Sequence, residues 1–191
     1  MSYLTNSFDE KIIELLKNGG VGFVPSDTIY GLSCRALDEK AVVRLRNLKS
    51  RSQHKPLIVL FSNIEQLADL GMPTAGLEKA LAYWPGPLSL EWDARKSPPW
   101  LHPASETFAI RMPDKPELVE LINKVGPITS TSANPEGAEP AKSVKEAENY
   151  FGEGLDFYVD AGEITSGASS TLARLANSQF EVLRQGALKI I

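Results

Sequence analysis

The sequence predicts an α/β domain built on one mixed β-sheet with flanking helices, and three observations predict it. Short apolar and β-branched runs of strand length alternate with stretches of helical periodicity. The later strand candidates are joined by short, glycine-containing connections, which suit antiparallel neighbours and so a sheet of mixed direction. With 191 residues, 42% hydrophobic and 23% charged, the composition is that of an ordinary folded chain, and one domain over residues 1–191 is expected.

The elements follow in order. Residues 8–18 place Phe8, Ile12, Leu15 and Leu16 on one helical face, closed by Gly19-Gly20. Residues 21–25 form a short strand, and 29–34 continue the sheet after a break at Ser26-Asp27-Thr28. Asp38 caps a helix that turns Val42, Leu45 and Leu48 inward. Residues 57–61 are a continuous apolar run of strand length, and Asn63 caps a short helix ending at Gly71. Further helices are predicted over 76–84, 117–125 and 144–151, the last announced by Ser143 and Glu146 at capping-box spacing. Further strands are predicted over 88–93, 107–112, 128–132, 157–160, 171–175 and 180–183. The segments 97–100 and 135–141 read as surface excursions.

Composition excludes several classes of function. No apolar run reaches the roughly 18–20 residues that cross a bilayer, and the N-terminus lacks the basic start and apolar core of a signal peptide. The single cysteine, Cys34, forms no internal disulfide and reads as a small buried apolar residue. His54 and His102 have no cysteine or carboxylate at metal spacing, so both are expected on the surface and no resident metal site is expected. A reducing, cytoplasmic setting is expected. The net charge of −4 argues against a surface devoted to nucleic acid. Yet residues 40–64 carry six bases (Lys40, Arg44, Arg46, Lys49, Arg51 and Lys55) and no acid. That reads either as a local site for phosphates or carboxylates, or as a solvated helix face with its acid partners elsewhere in the fold.

Four motifs carry the candidate chemistry. In 24–32 (VPSDTIYGL) a strand stops at Pro25, and the loop either presents Thr28 to a small polar ligand or is a hydroxyl-stabilised turn. In 49–57 (KSRSQHKPL) Lys49 and Arg51 project to one side of an extended segment, a plausible side-chain cradle for a triphosphate that lacks the glycines of a Walker loop. In 128–135 (ITSTSANP) Ser130, Ser132 and Asn134 share one face, too polar for a strand buried on both sides; that face lines a polar cavity, or the strand is an exposed edge. In 107–113 (TFAIRMP) Arg111 stands between small residues and suits a carboxylate, either a ligand's or a structural one. The loop 167–172 (GASSTL) and the later 183–186 (LRQG) are weak when read alone. Nothing supports a Ser-His-Asp or Cys-His nucleophile.

Taken in order, VPSDTIYGLSC, LKSRSQHKPL, YWPGPLS, FAIRMP, ITSTSAN, GASSTLARL and VLRQG resemble the threonylcarbamoyl-AMP synthase family, the YrdC/TsaC domain, in its short single-domain form. The resemblance spans residues 10–186 and includes the family's Lys-x-Arg and Ser-x-Asn elements at Lys49-Ser50-Arg51 and Ser132-Ala133-Asn134. It implies a single twisted sheet curled around a deep, positively charged cavity. It also implies a reaction of ATP, L-threonine and bicarbonate (or CO2) that gives threonylcarbamoyl-AMP and pyrophosphate. Partner proteins then carry the threonylcarbamoyl group to the adenosine beside the anticodon of tRNAs. Position by position, the resemblance gives Thr28, Arg111, Ser130 and Ser170 to threonine, and Arg51, Lys55, Thr107, Ser132 and Arg184 to ATP. Lys49, Arg51, Ser132 and Asn134 are the implied catalytic set, and Mg2+ is carried in with the phosphates. The sequence departs from the commoner family pattern at PSDT for PTET, at Leu60 for a histidine, at Pro135-Glu136-Gly137, and at Ser169-Ser170-Thr171 for Glu-Ser-Thr, and the C-terminal extension of the long family members is not expected.

The residue inventory fits that reaction, which brings two anions together and so calls on cations and positioning in place of a protein nucleophile. Two rivals remain at this stage. One is an RNA-binding module of the same fold without synthase activity, marked by steeply salt-dependent RNA affinity; a weak tRNA contact is compatible with either reading. The other is a silent paralogue, which would be expected to lose the Lys-x-Arg and Ser-x-Asn elements.

Overall fold

The computed structural model describes residues 1–50, 57–164 and 167–190. Among them, ten strands form one mixed sheet in the order β1 (Tyr3–Thr5), β8 (Phe157–Val159), β2 (Gly22–Pro25), β3 (Tyr30–Ser33), β7 (Ile128–Ser132), β4 (Ile58–Leu60), β6 (Thr107–Arg111), β5 (Leu88–Asp93), β9 (Thr171–Ala176) and β10 (Gln179–Arg184). Antiparallel pairs (β2/β3, β3/β7, β4/β7, β5/β6, β9/β10) mix with parallel ones (β1/β8, β2/β8, β4/β6, β5/β9). The helices are α1 (Glu10–Lys17), α2 (Glu39–Leu48), α3 (Gln66–Asp69), α4 (Glu78–Leu81), α5 (Pro116–Val125) and α6 (Val144–Phe151).

Local chemistry starts three of them. The side chains of Asp9, Asp38 and Ser143 accept hydrogen bonds from the amides of Ile12, Ala41 and Glu146, satisfying donors the helix itself leaves free. Glu146 reaches back to the amide of Lys142 at 2.8 Å, completing a capping arrangement close to the predicted one. β1 escapes prediction: three residues, only one of them strongly apolar, become a strand by pairing with β8.

Side-chain alternation divides the sheet into two faces. One buries Phe23, Tyr30, Leu32, Val59, Phe108, Ile110, Leu90 and Ala173 against α2, α3, α4 and α6. The other buries Val24, Leu60, Ile128, Phe157 and Val159 against α1 and α5. That second face continues past Leu60, which registers with Ile128 and Arg111, to a row joining Ser130, Ile58, Ala109 and Glu91. Over part of this second stretch the polar side chains face a cavity. His102 departs from the expected surface position: it is 8% exposed, bonds Ser105 O at 2.7 Å through Nδ1 and stacks on Phe108.

Candidate active site

A cavity of about 110 Å3 opens on that face, lined by Ser26, Thr28, Ile58, Arg111, Ser130, Ser132, Ser170 and Arg184 among others. Six of the residues singled out from sequence thus meet: Thr28, Arg111, Ser130, Ser132, Ser170 and Arg184. They come from the β2–β3 loop, β6, β7, β9's leading loop and the end of β10.

Both readings of the first loop hold at once. Ser26 Oγ donates to Ile29 O at 2.7 Å and accepts from Thr28 N at 3.2 Å, so the loop is a hydroxyl-stabilised turn. That turn aims Thr28 Oγ1 into the cavity, where it accepts from Arg111 Nη1 at 3.1 Å. Arg111 is 2% exposed, and Asp27 Oδ1 lies 3.3 Å from the same Nη1. The carboxylate partner left open in the sequence is therefore present within the chain. Burial holds the Arg111 guanidinium below the ordinary arginine value; Asp27 opposes that shift and the nearby Arg184 charge adds to it. At the mouth, Arg184 Nη2 donates to Ser170 O at 2.9 Å.

Two contacts invisible in the sequence complete the frame. Ser89, fully buried on β5, shares a 2.7 Å hydrogen bond with the Ser170 hydroxyl. Gly186 lies so close to the preceding loop that a Cβ there would stand 2.1 Å from Ser169 O. Only a residue without a side chain lets the Arg184 segment close onto Ser170.

Other predicted residues stand elsewhere. Lys49 is 1% exposed, and its Nζ donates to the carbonyls of Ser132 and Asn134 and to Asn134 Oδ1. The Asn134 amide donates to Pro135 O at 2.9 Å and Ala138 O at 2.7 Å, pinning its own loop. Lys49 and Asn134 thus face each other and do not line the cavity. Thr107 lies at the far end of β6 from Arg111, about 13 Å away by strand rise, beside Glu91, Glu106 and Arg174. Leu60 is buried with the α1/α5 core. Arg51, Lys55 and His54 lie outside the described residues.

Among the described residues, the basic stretch forms no continuous anion patch. Arg44 pairs with Asp156 at 2.5 Å, and buried Arg46 donates to Leu101 O at 2.9 Å, so with Lys49 three of its cations serve internal contacts. Among the described residues, no group of three or more His, Cys, Asp or Glu is placed to hold a metal ion, and no helix is long and apolar enough to cross a membrane.

A family model described as "Telomere recombination" (Sua5/YciO/YrdC) matches residues 14–186. Threonylcarbamoyl-AMP synthase of Hahella chejuensis is 37% identical over 158 residues, covering 80% of this chain and 85% of the relative. The Pseudomonas aeruginosa protein of the same name is 37% identical over 145 residues, covering 74% and 78%. Sua5 of P. abyssi, solved as a complex with L-threonine, superposes with a TM-score of 0.85 at 29% identity, over 97% of this chain and 57% of that one. This chain therefore spans less than two thirds of that protein's length. E. coli YciO superposes with a TM-score of 0.83 at 20% identity, over 97% and 96% of the two chains, a likeness of fold alone.

Proposed function

The chain belongs to the Sua5/YciO/YrdC family, and from that premise we infer that it is a threonylcarbamoyl-AMP synthase serving tRNA modification. The observation that carries this reading is the gathering of Thr28, Arg111, Ser130, Ser132, Ser170 and Arg184 around one small cavity. About 110 Å3 suits a small amino acid and is far below the roughly 300–1,000 Å3 of drug-sized pockets. L-threonine occupies the cavity, with its carboxylate toward Arg111 and its polar atoms met by Thr28, Ser130 and Ser170. ATP lies along the open face, its phosphates toward Ser132 and Arg184 and its base toward Thr107. Arg51 and Lys55, given to the phosphates by the family resemblance, complete that binding.

The chemistry then runs in two steps. The threonine amine attacks the carbon of CO2, or of bicarbonate with loss of water, and gives up a proton as the carbamate forms. A carbamate oxygen attacks the α-phosphorus and pyrophosphate leaves. Carbamate and triphosphate are both anions, and at 4 Å two unit charges repel by about 4 kcal/mol near a protein surface, so guanidinium groups and fixed N–H donors must offset that repulsion. Mg2+ enters with ATP as part of the substrate. Lys49 and Asn134 act by holding the Ser132 backbone in place for the phosphates, and residues 1–191 work as one unit. The reaction belongs to the cytoplasm, where partner proteins take the product to tRNA.

The test is incubation with ATP, bicarbonate and each amino acid in turn while pyrophosphate is followed. Threonine-dependent release is expected. Equal release with serine, or none with any amino acid, would overturn the reading.

A further inference from the structure

Asp27 stands one residue before Thr28 and one after Ser26, both of which line the cavity, yet it is not itself a lining residue. Its carboxylate reaches two elements. Oδ1 lies 3.3 Å from Arg111 Nη1, and Oδ2 accepts from the amide of Asp114, just beyond β6, at 3.2 Å. The two ionic side chains are 6% and 3% exposed, so the pair is screened from water. Among the described residues, the contacts of the guanidinium to Asp27 and to Thr28 Oγ1 both fall on Nη1, while Arg111 itself lines the cavity. Asp27 Oδ1 and Arg111 Nε are each buried without a hydrogen-bond partner among the described residues. Charge attraction, more than a closed hydrogen-bond network, holds the pair.

We propose that Asp27 is a positioning residue for amino-acid recognition, fixing the Arg111 guanidinium through Nη1 so that the rest of its fork meets the substrate carboxylate. This inference rests on the synthase reading and names a residue which that reading does not use. Orientation matters here because a guanidinium discriminates a carboxylate by its planar fork, and a rotated fork is little better than a point charge.

The test compares wild type, Asp27→Asn and Asp27→Glu in L-threonine titrations by calorimetry and in pyrophosphate release, with L-threonine and with threoninamide, which lacks the carboxylate. Asp27→Asn keeps the shape and an oxygen for the Asp114 amide but removes the charge. It is expected to lose about 10–100-fold in kcat/KM for threonine, with the KM for ATP within about twofold. The preference for threonine over threoninamide should shrink by a similar factor, a change that a general loosening of the fold would not produce. Asp27→Glu should restore most of the loss. Unchanged discrimination against threoninamide, or tighter threonine binding by Asp27→Asn, would overturn the proposal, the latter by showing that Asp27 competes with the substrate. A wild-type protein that binds no threonine would overturn the synthase reading and this inference with it. With a wild type that binds and reacts, a failure in the variants counts against the role of Asp27 alone.

Discussion

The ammonium of Lys49 donates to the backbone carbonyl of Ser132, so the segment after α2 is tied to the end of the strand that forms one wall of the cavity. Replacing Lys49 with Met keeps much of the volume but takes the charged donor from the part-buried carbonyls of Ser132 and Asn134, the first of which keeps the Asn134 amide at 3.0 Å. A hydrogen bond to a charged group contributes about 1.5–3 kcal/mol, so the urea midpoint of Lys49→Met should fall by a corresponding amount. Activity should fall at saturating ATP as well, because Ser132 is less firmly held. A variant with wild-type stability and a raised KM for ATP alone would show that Lys49 acts on the phosphates directly.

Ser89 offers a cleaner separation of binding from folding. Its one polar contact at the site is the 2.7 Å bond to Ser170 Oγ, and Ser89→Ala removes it while leaving Ser170 in place. A neutral hydrogen bond contributes about 1 kcal/mol net, so the KM for threonine is expected to rise about fivefold, with the KM for ATP unchanged. Steady-state kinetics with each substrate varied in turn checks this. A change in the ATP constant alone would remove Ser170 from the threonine side of the cavity.

The contact at Gly186 predicts a sharper failure. A Cβ 2.1 Å from Ser169 O cannot be relieved by turning a flexible side chain, so two backbones must part in Gly186→Ala. That shift moves Arg184 and the Ser170 carbonyl it bonds. Overpacking of this kind costs about 1–3 kcal/mol, and displacement of a cavity wall by about 1 Å can cost on the order of 100-fold in rate. Thermal melting together with pyrophosphate release should show both losses, and full activity would mean that the β10 end does not shape the site.

How much of this was legible in the sequence depends on the range over which each feature acts. Helix starts at Asp38 and Ser143 were readable because cap and amide lie three residues apart, while the Asp9 cap appears only in the structure. Ser130 and Ser132 were readable because strand alternation alone puts both on one face. Ser89 and Asp27 were not, because each acts through a residue more than eighty positions away in the chain. The burial of Lys49 was not legible either: the sequence displays its charge but not the carbonyls of Ser132 and Asn134 that surround it. His102 failed likewise, since its ring is enclosed by Ser97, Ser105 and Phe108.

Cys34 supplies a prediction that depends on pH. It is fully buried, its thiol shares a 3.3 Å contact with Thr129 Oγ1, and burial pushes its pKa up from 9.0 to about 12. The folded chain therefore keeps a proton that the unfolded chain releases near pH 9. A raised folded-state pKa contributes stability that is complete below pH 9 and is lost as pH climbs from 9 toward 12. The slope approaches about 1.4 kcal/mol per pH unit in that window. Urea unfolding of wild type and Cys34→Ala at pH 8 and pH 10 isolates this contribution: the alanine variant should be less stable at pH 8 through its small cavity, and the gap should narrow by about 1 kcal/mol at pH 10. In the native state at pH 8 the thiol should also resist iodoacetamide, reacting only when urea exposes it. A gap that stays constant between the two pH values, or rapid alkylation of the folded protein, would show that Cys34 is not held protonated in the core.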